Sequence, residues 1–290
     1  MGTSEMGEIA YQARIVEPDI SLITTVSESH LEGIGSRDDV FDEKSSIIPA
    51  TRKDGTVIVN LDDDYSQRAI AAAGAMRVIT YGFSPGADVG CKYEVTDTGS
   101  NVHAYTADGE VSYFLNAPGK HNVANSLAAI AISYALGINK ASIISGLQKF
   151  TGAKGRLQSK NLGGGIRLLD DTYNANPASS IAALDVLSES DSRKIFVFGG
   201  MAELGKEEYE LHKKVGVKAA ACDVDVLYVC GDESIPTYDA FNGEKYRFRS
   251  IDELNQALRT DIVGGDTVLV KGSRRFQLDR VSRFLEEEFV

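Results

Sequence analysis

Apolar and polar residues follow one another in short blocks along the chain, and the blocks keep a strand–helix rhythm. Pro18 to Val26 and Thr56 to Asn60 are apolar runs of strand length, the second ending in the acidic turn Asp62-Asp63-Asp64. Gln67 to Gly74 carries helical spacing, and Arg77 to Tyr81 predicts another short strand. Such alternation predicts a parallel sheet with crossover helices. Residues 88–115 break the rhythm. Tyr93–Thr96, Asn101–Tyr105 and Val111–Leu115 alternate with a period of two, and turn signals stand at Asp97-Thr98-Gly99 and Asp108-Gly109. They predict a small antiparallel β insertion. From Asn122 to Leu136 the period becomes helical, with Val123, Leu127, Ile130, Ala131 and Tyr134 on one face and Gly137 as the stop. Ala141 to Lys149 predicts a shorter helix.

The second half repeats the first pattern. Strands are predicted at Ile166–Asp170, Lys194–Phe198, Val224–Cys230 and Thr267–Lys271. Helices are predicted at Pro177–Leu187, Glu207–Ala221, Ile251–Arg259 and Leu278–Phe289. This is the plan of a doubly wound α/β domain. Gly152 to Gly155 reads as a hinge, so the expected domains are 1–153 and 154–290.

Composition narrows the partners. The chain has 290 residues and a net charge of −12, which argues against general binding to nucleic acid or anionic membranes. No apolar run reaches the roughly 20 residues of a membrane-spanning helix, so no membrane insertion is expected. Three cysteines, Cys91, Cys222 and Cys230, form no Cys-x-x-Cys pair. Scattered free thiols fit a reducing cytoplasm.

Candidate chemistry gathers where predicted strands end. His30 follows the first strand, and Lys44 lies in the amphipathic stretch Asp38 to Ile48; a solvated surface charge explains Lys44 equally well. Gly119 to Asn125 opens the long helix. Helix N–H groups there favour anions, and the Asn125 amide offers both a donor and an acceptor to a base edge; plain capping by Asn122 is the alternative. Arg156 can bridge a phosphate bidentately and Asp171 can accept from ribose hydroxyls; a salt bridge between the two is the alternative. Gly199 to Gly205 and Lys271-Gly272-Ser273-Arg274-Arg275 each follow a strand. No Gly-x-x-x-x-Gly-Lys-Ser/Thr phosphate loop occurs in the sequence.

Read in order, these strings resemble the Mur ligase family. The matching segments are Met1 to Ile9, His30 to Ser36, Gly119 to Ala129, Gly155 to Gln158, Asp170 to Ser179, the turn running to Gly205, and Val270 to Arg274. The type most resembled joins D-Ala-D-Ala to UDP-N-acetylmuramoyl-tripeptide in peptidoglycan precursor synthesis. The resemblance implies most of a central ATPase domain, mostly parallel with the antiparallel insertion, plus a C-terminal Rossmann-like domain. It implies ATP and Mg2+ as cofactors, with UDP-N-acetylmuramoyl peptide and D-Ala-D-Ala as substrates. His30 and Lys44 would hold metal, Lys44 after carbamylation. His121, Asn122 and Asn125 would meet adenine. Arg156 would reach the phosphates, and Asp171 the ribose. Asn174, Asn176, Lys271 and Ser273 would lie near the dipeptide. His30, Lys44 and Arg156 are thus the expected catalytic set.

Two positions depart from the family pattern. Ser46 stands where a glutamate usually follows the modified lysine, and Gly200 where the turn commonly carries aspartate. The resemblance includes neither a first, UDP-sugar-holding domain nor the phosphate loop. The isolated chain is therefore expected to show no ligase turnover, and an exposed sheet edge is expected that a second copy or a complementing chain could cover. Two alternatives stand beside this reading: another Mur-like ligase such as folylpolyglutamate synthetase, and a noncatalytic shortened paralogue acting as a binding or scaffold protein.

Overall fold

A computed structural model describes residues 1–96 and 98–290; Asp97, in one of the expected turns, lies outside the described residues. The chain divides into two compact units, one of Met1–Asn116 with Lys120–Phe150, the other of Ala117–Gly119 with Thr151–Val290.

The first unit begins with α1 (Glu8–Val16), β1 (Ile20–Ile23), α2 (Leu31–Ile34) and α3 (Arg37–Ser45). β2 (Thr56–Asn60), α4 (Ser66–Ala73) and β3 (Arg77–Tyr81) follow. The three strands form a parallel sheet in the order β1-β2-β3. β2 is central and apolar, as a strand covered on both faces must be. Val57 and Val59 pack with Val26, Val40, Phe41, Ile48, Ala69 and Ala73. A reciprocal cap between Ser36 and Asp39 starts α3. β4 (Gly90–Thr96), β5 (Gly99–Thr106) and β6 (Gly109–Leu115) make the expected antiparallel sheet. Its inward residues Val102, Ala104, Val111, Tyr113 and Leu115 are buried. α5 (Lys120–Ala135) packs on β2 and β3, and α6 (Lys140–Gln148) on β6. On α5, Val123, Leu127, Ile130 and Ala131 are buried as its periodicity predicts, while Tyr134, expected on the same face, is half-buried.

Two corrections have physical causes. The first strand is shorter than the apolar run, because the carbonyls beyond Ile23 are taken by side chains. Asn60 Nδ2 donates to the Thr24 carbonyl at 2.8 Å, and Lys44 Nζ to that of Thr25 at 2.9 Å. α1 went unpredicted because only Ile9 and Ala13 of its residues are buried, too sparse a stripe to register.

The second unit holds β7 (Gln158–Asn161), β8 (Arg167–Asp171), α7 (Pro177–Ser188), β9 (Lys194–Phe198), α8 (Glu208–Ala221) and β10 (Val226–Cys230). α9 (Ile235–Ala240), β11 (Glu244–Phe248), α10 (Ile251–Asp261), β12 (Thr267–Lys271) and α11 (Asp279–Glu288) complete it. The sheet order is β11-β10-β9-β12-β8-β7. Five strands are parallel, and β7 runs antiparallel to β8. β7 (Gln-Ser-Lys-Asn) and β11 (Glu-Lys-Tyr-Arg-Phe) escape the sequence pattern because they are edges with little apolar face. The central strands are continuous apolar runs, with Leu168, Ile195, Val197, Val268 and Val270 in one cluster with Val281 and Leu285.

Candidate functional site

In the second unit the candidate residues sit at the carboxyl ends of β8, β9 and β12, where open α/β sheets place ligands. Lys271 ends β12 and is almost fully buried, its side chain 1% exposed. Its Nζ donates to Asp171 Oδ2 at 2.6 Å and to the Asn174 carbonyl at 3.0 Å. Burial pushes the Lys271 pKa down, while Asp171 opposes that shift. The other Asp171 oxygen accepts from the Leu157 amide at 3.0 Å. Asp171 therefore pairs with Lys271, and the alternative of an Arg156–Asp171 salt bridge is set aside. The Arg156 guanidinium instead lies 4.2 Å from the centre of the Tyr173 ring, a cation–π contact on an exposed turn. Gly155, at φ 68°, makes that turn, and its carbonyl accepts from the Tyr173 amide at 2.8 Å. A side chain there would press on the Tyr173 nitrogen at 3.1 Å.

Ser273 is buried, and its Oγ donates to the Ala175 carbonyl at 3.0 Å while accepting from the Ala202 amide at 2.9 Å. Its own amide donates to the Gly200 carbonyl at 3.0 Å. Lys271 and Ser273 thus lace the strand-end loops together. Asn176 caps α7, accepting from the Ser179 amide at 2.8 Å, with Pro177 in the first turn. Asn174 is exposed, and its Oδ1 accepts from the Ala175 amide at 2.9 Å. Of the four residues expected near the dipeptide, Asn174 faces solvent and the other three build the platform beside it.

In the first unit, Lys44 is half-buried and its ammonium reaches back to the end of β1 through the Thr25 carbonyl. Burial lowers its pKa against the pull of Asp63. Asp63 is spent on the same loop, accepting from the Val26 amide at 2.8 Å and the Tyr65 amide at 3.0 Å. His30 caps α2 in the left-handed region, at φ 57°. The Glu8 carboxyl, held low first by the Ser4 and Glu5 amides, also feels His30. Among the described residues no group of three or more His, Cys, Asp or Glu side chains could hold a metal ion. An ammonium cannot ligate a cation, and an imidazole is a poor ligand for a hard one that takes oxygen. The residues as they stand do not fit Mg2+.

Glu43, beside Lys44, carried no signal in the sequence because it lies in a run of charges. It is buried, and its carboxylate accepts from the Gly7 amide at 2.6 Å, the Ile9 amide at 2.7 Å and Thr3 Oγ1 at 3.1 Å. It replaces the missing side-chain cap of α1, whose N-cap is Gly7, and ties the amino-terminal segment to α3.

α5 starts at Lys120, after Gly119 at φ 94°. Asn122 is therefore inside the first turn and not at the N-cap position. Asn122 and Asn125 line a cavity of about 450 Å³ with Leu115, Ala129, Ile143 and Phe150. His121 is half-buried beside Asn122. Apolar walls with a few amides and hydroxyls suit a flat heteroaromatic ring that carries hydrogen-bonding edges. The cysteines take no part: all three are buried and free, and burial pushes the Cys91 thiol to about 11.

Comparison with known proteins follows the same division. The family profile described as the Mur ligase middle domain matches residues 1–133, and that described as the Mur ligase glutamate ligase domain matches residues 155–274. UDP-N-acetylmuramoyl-tripeptide–D-alanyl-D-alanine ligase of Escherichia coli (strain K12) is 34% identical over 293 residues, covering 99% of this chain and 64% of that protein. The Bacillus subtilis (strain 168) protein of the same name is 30% identical, covering 99% of this chain and 63% of its own. A crystal structure of MurF from Acinetobacter baumannii superposes with a TM-score of 0.91 at 30% identity, over 99% of this chain and 64% of that one. The chain thus spans just under two thirds of the length of these relatives. Its two matched segments carry the middle and C-terminal domains, and the chain belongs to the Mur ligase family.

Proposed function

We propose that the chain is the ATP-proximal and C-terminal portion of a ligase that joins D-Ala-D-Ala to UDP-N-acetylmuramoyl-tripeptide at the cost of ATP. The observation that carries this reading is the similarity to the Escherichia coli ligase across 99% of the chain. On this reading ATP phosphorylates the tripeptide carboxylate. The dipeptide amine attacks the acyl phosphate, phosphate leaves, and an amide remains. Such catalysis is largely positioning and neutralisation of phosphate charge.

The residues divide the labour accordingly, with the domain boundary at 153/154. The cavity on α5 takes the adenine, with Asn125 reading its edge and His121 and Asn122 beside it. Arg156 meets phosphate and Asp171 the ribose. Asn174 meets the dipeptide on the platform that Asn176, Lys271 and Ser273 hold in shape. His30 and Lys44 belong to the phosphate end of the reaction. Carbamylation of Lys44 would turn its donor into an oxygen acceptor of the kind that Mg2+ takes. The setting is cytoplasmic, and a second chain covers an outer strand of the three-stranded sheet. A monomeric mass in solution scattering would remove that last element.

D-Ala-D-Ala added to the 15N-labelled protein is expected to shift the Asn174, Ala202 and Ser273 amides saturably, and L-glutamate is not. The reverse preference would favour a folylpolyglutamate-type ligase, and no response to either would favour a scaffold protein. Incubation with 13C-bicarbonate is expected to give a carbamate carbonyl resonance that Lys44→Arg abolishes; the same signal in both proteins would remove Lys44 from its role. No ligase turnover is expected from these 290 residues, because they contain no phosphate loop.

A further inference from the structure

His212 is fully buried on α8, with no exposed surface. Its Nδ1 faces the Glu208 carbonyl at 2.8 Å and must donate to it. Its Nε2 accepts from the Met201 amide at 2.8 Å. Those two partners fix one tautomer of the neutral ring. The ring therefore grips the turn that leaves β9, where Gly200 sits at φ 97°. A side chain at Gly200 would come within 3.4 Å of His212 Nε2, so turn and ring are in close contact.

The turn does not end the chain of contacts. The Gly200 carbonyl accepts from the Ser273 amide at 3.0 Å, and the Ala202 amide donates to Ser273 Oγ at 2.9 Å. Ser273 Oγ in turn donates to the Ala175 carbonyl at 3.0 Å. One imidazole thus anchors a hydrogen-bonded series through the loops after β9, β12 and β8. We infer that His212 is a positioning residue: its neutral ring holds the Gly199–Met201 turn against α8, and a proton on Nε2 releases that turn together with the loops laced to it.

The physical reason is a conflict of donors. A protonated ring donates from both nitrogens. Nδ1–H keeps the Glu208 carbonyl, but Nε2–H points at an amide N–H. The Met201 amide then loses its acceptor inside a buried site, where an unmet donor is costly. The charged groups acting on the ring are Glu208 on its own helix, Glu233 after β10, and Arg275 after β12. Also against it are the Phe198 ring from β9 at 6.1 Å, and Thr237 from α9, whose hydroxyl donates to the His212 carbonyl at 2.8 Å; α9 carries Asp239, and the turn Gly205–Glu207, which packs on α8 as well, carries Lys206 and Glu207. α7 also packs on α8, and its carboxylate Asp185 is engaged by Lys218. Glu208 and Glu233 favour the proton, yet burial dominates and holds the imidazole below its ordinary range. An unfolded histidine titrates near ~6.5, so the unfolded chain binds the proton first. The stability held by the neutral ring is therefore present above about pH 6.5 and is lost as pH falls below it.

The inference is independent of the ligase reading, and its test needs no substrate. Amide spectra of the 15N-labelled protein are followed from pH 8 down to acid unfolding. The Met201, Ala202 and Ser273 amides are expected to move on one curve with its midpoint below about 6.5. In His212→Gln the side-chain oxygen can still accept from Met201 but cannot titrate, and the curve is expected to vanish. Amides that hold still until the protein unfolds, or an unchanged curve in His212→Gln, would overturn the inference. Should the variant not fold, the ring nitrogens of the wild type decide. A proton on Nδ1 at neutral pH is expected; one on Nε2 would overturn it.

Discussion

Lys271→Ala is expected to destabilise the second unit by about 3–5 kcal/mol, the usual cost of breaking a buried ion pair from one side. The Lys271 ammonium is buried and answers two acceptors, Asp171 Oδ2 at 2.6 Å and the Asn174 carbonyl at 3.0 Å. Alanine leaves the Asp171 carboxylate, itself only 14% exposed, with the Leu157 amide as its remaining partner. Lys271→Met refills the volume but not the charge, so it is expected to recover less than half of the loss. Combining it with Asp171→Leu removes the orphaned charge and is expected to recover most of it. Denaturant unfolding of Lys271→Met, Asp171→Leu and the double variant measures the coupling. A loss below about 1 kcal/mol for Lys271→Ala would mean that the pair is solvated. Because the loops after β8 and β12 are joined through this lysine, a ligand effect at Asn174 is expected even though Lys271 does not face solvent.

Glu43→Ala is expected to cost about 3 kcal/mol and to free the amino-terminal segment. Hydrogen bonds to a charged acceptor contribute roughly 1.5–3 kcal/mol each, and Glu43 receives them from Gly7 and Ile9 at the start of α1. The carboxylate also answers the positive end of that helix. Hydrogen exchange at the Gly7 and Ile9 amides is the direct readout, expected to accelerate at least tenfold. Glu43→Gln keeps one acceptor oxygen and turns an NH2 group toward the other amide, so an intermediate effect is expected. Protection that survives in Glu43→Ala would show that α1 is held by Ile9 and Ala13 packing alone.

The sequence revealed the fold wherever burial leaves a pattern. β9 and β12 fall where their apolar runs predict them, because a central parallel strand has no solvent side. The helical face of α5 was legible for the same reason. β7, β11 and α1 were not, since edges and half-exposed helices bury too few residues to impose a period. The site was legible only as a set of positions. By resemblance, Lys271 and Ser273 are expected beside the dipeptide. Folded, they are consumed by carbonyls of the loop after β8, contacts roughly a hundred residues away along the chain. Glu43 and His212 show the converse. Each lies in a stretch rich in charge, Asp-Glu-Lys and Leu-His-Lys-Lys, that reads as a solvated helix face. Their burial depends on which amide a distant loop presents, and no local spacing encodes that.

On the proposed function, the α5 cavity is the adenine pocket. Isothermal titration of ATP–Mg2+ into the chain and into Asn125→Ala tests it most directly. An amide paired to both positions of an adenine edge is worth about 1–3 kcal/mol. Saturable binding that Asn125→Ala weakens by roughly five- to hundredfold is the predicted result. No saturable heat in the unsubstituted protein, or equal affinity in the two, would contradict it.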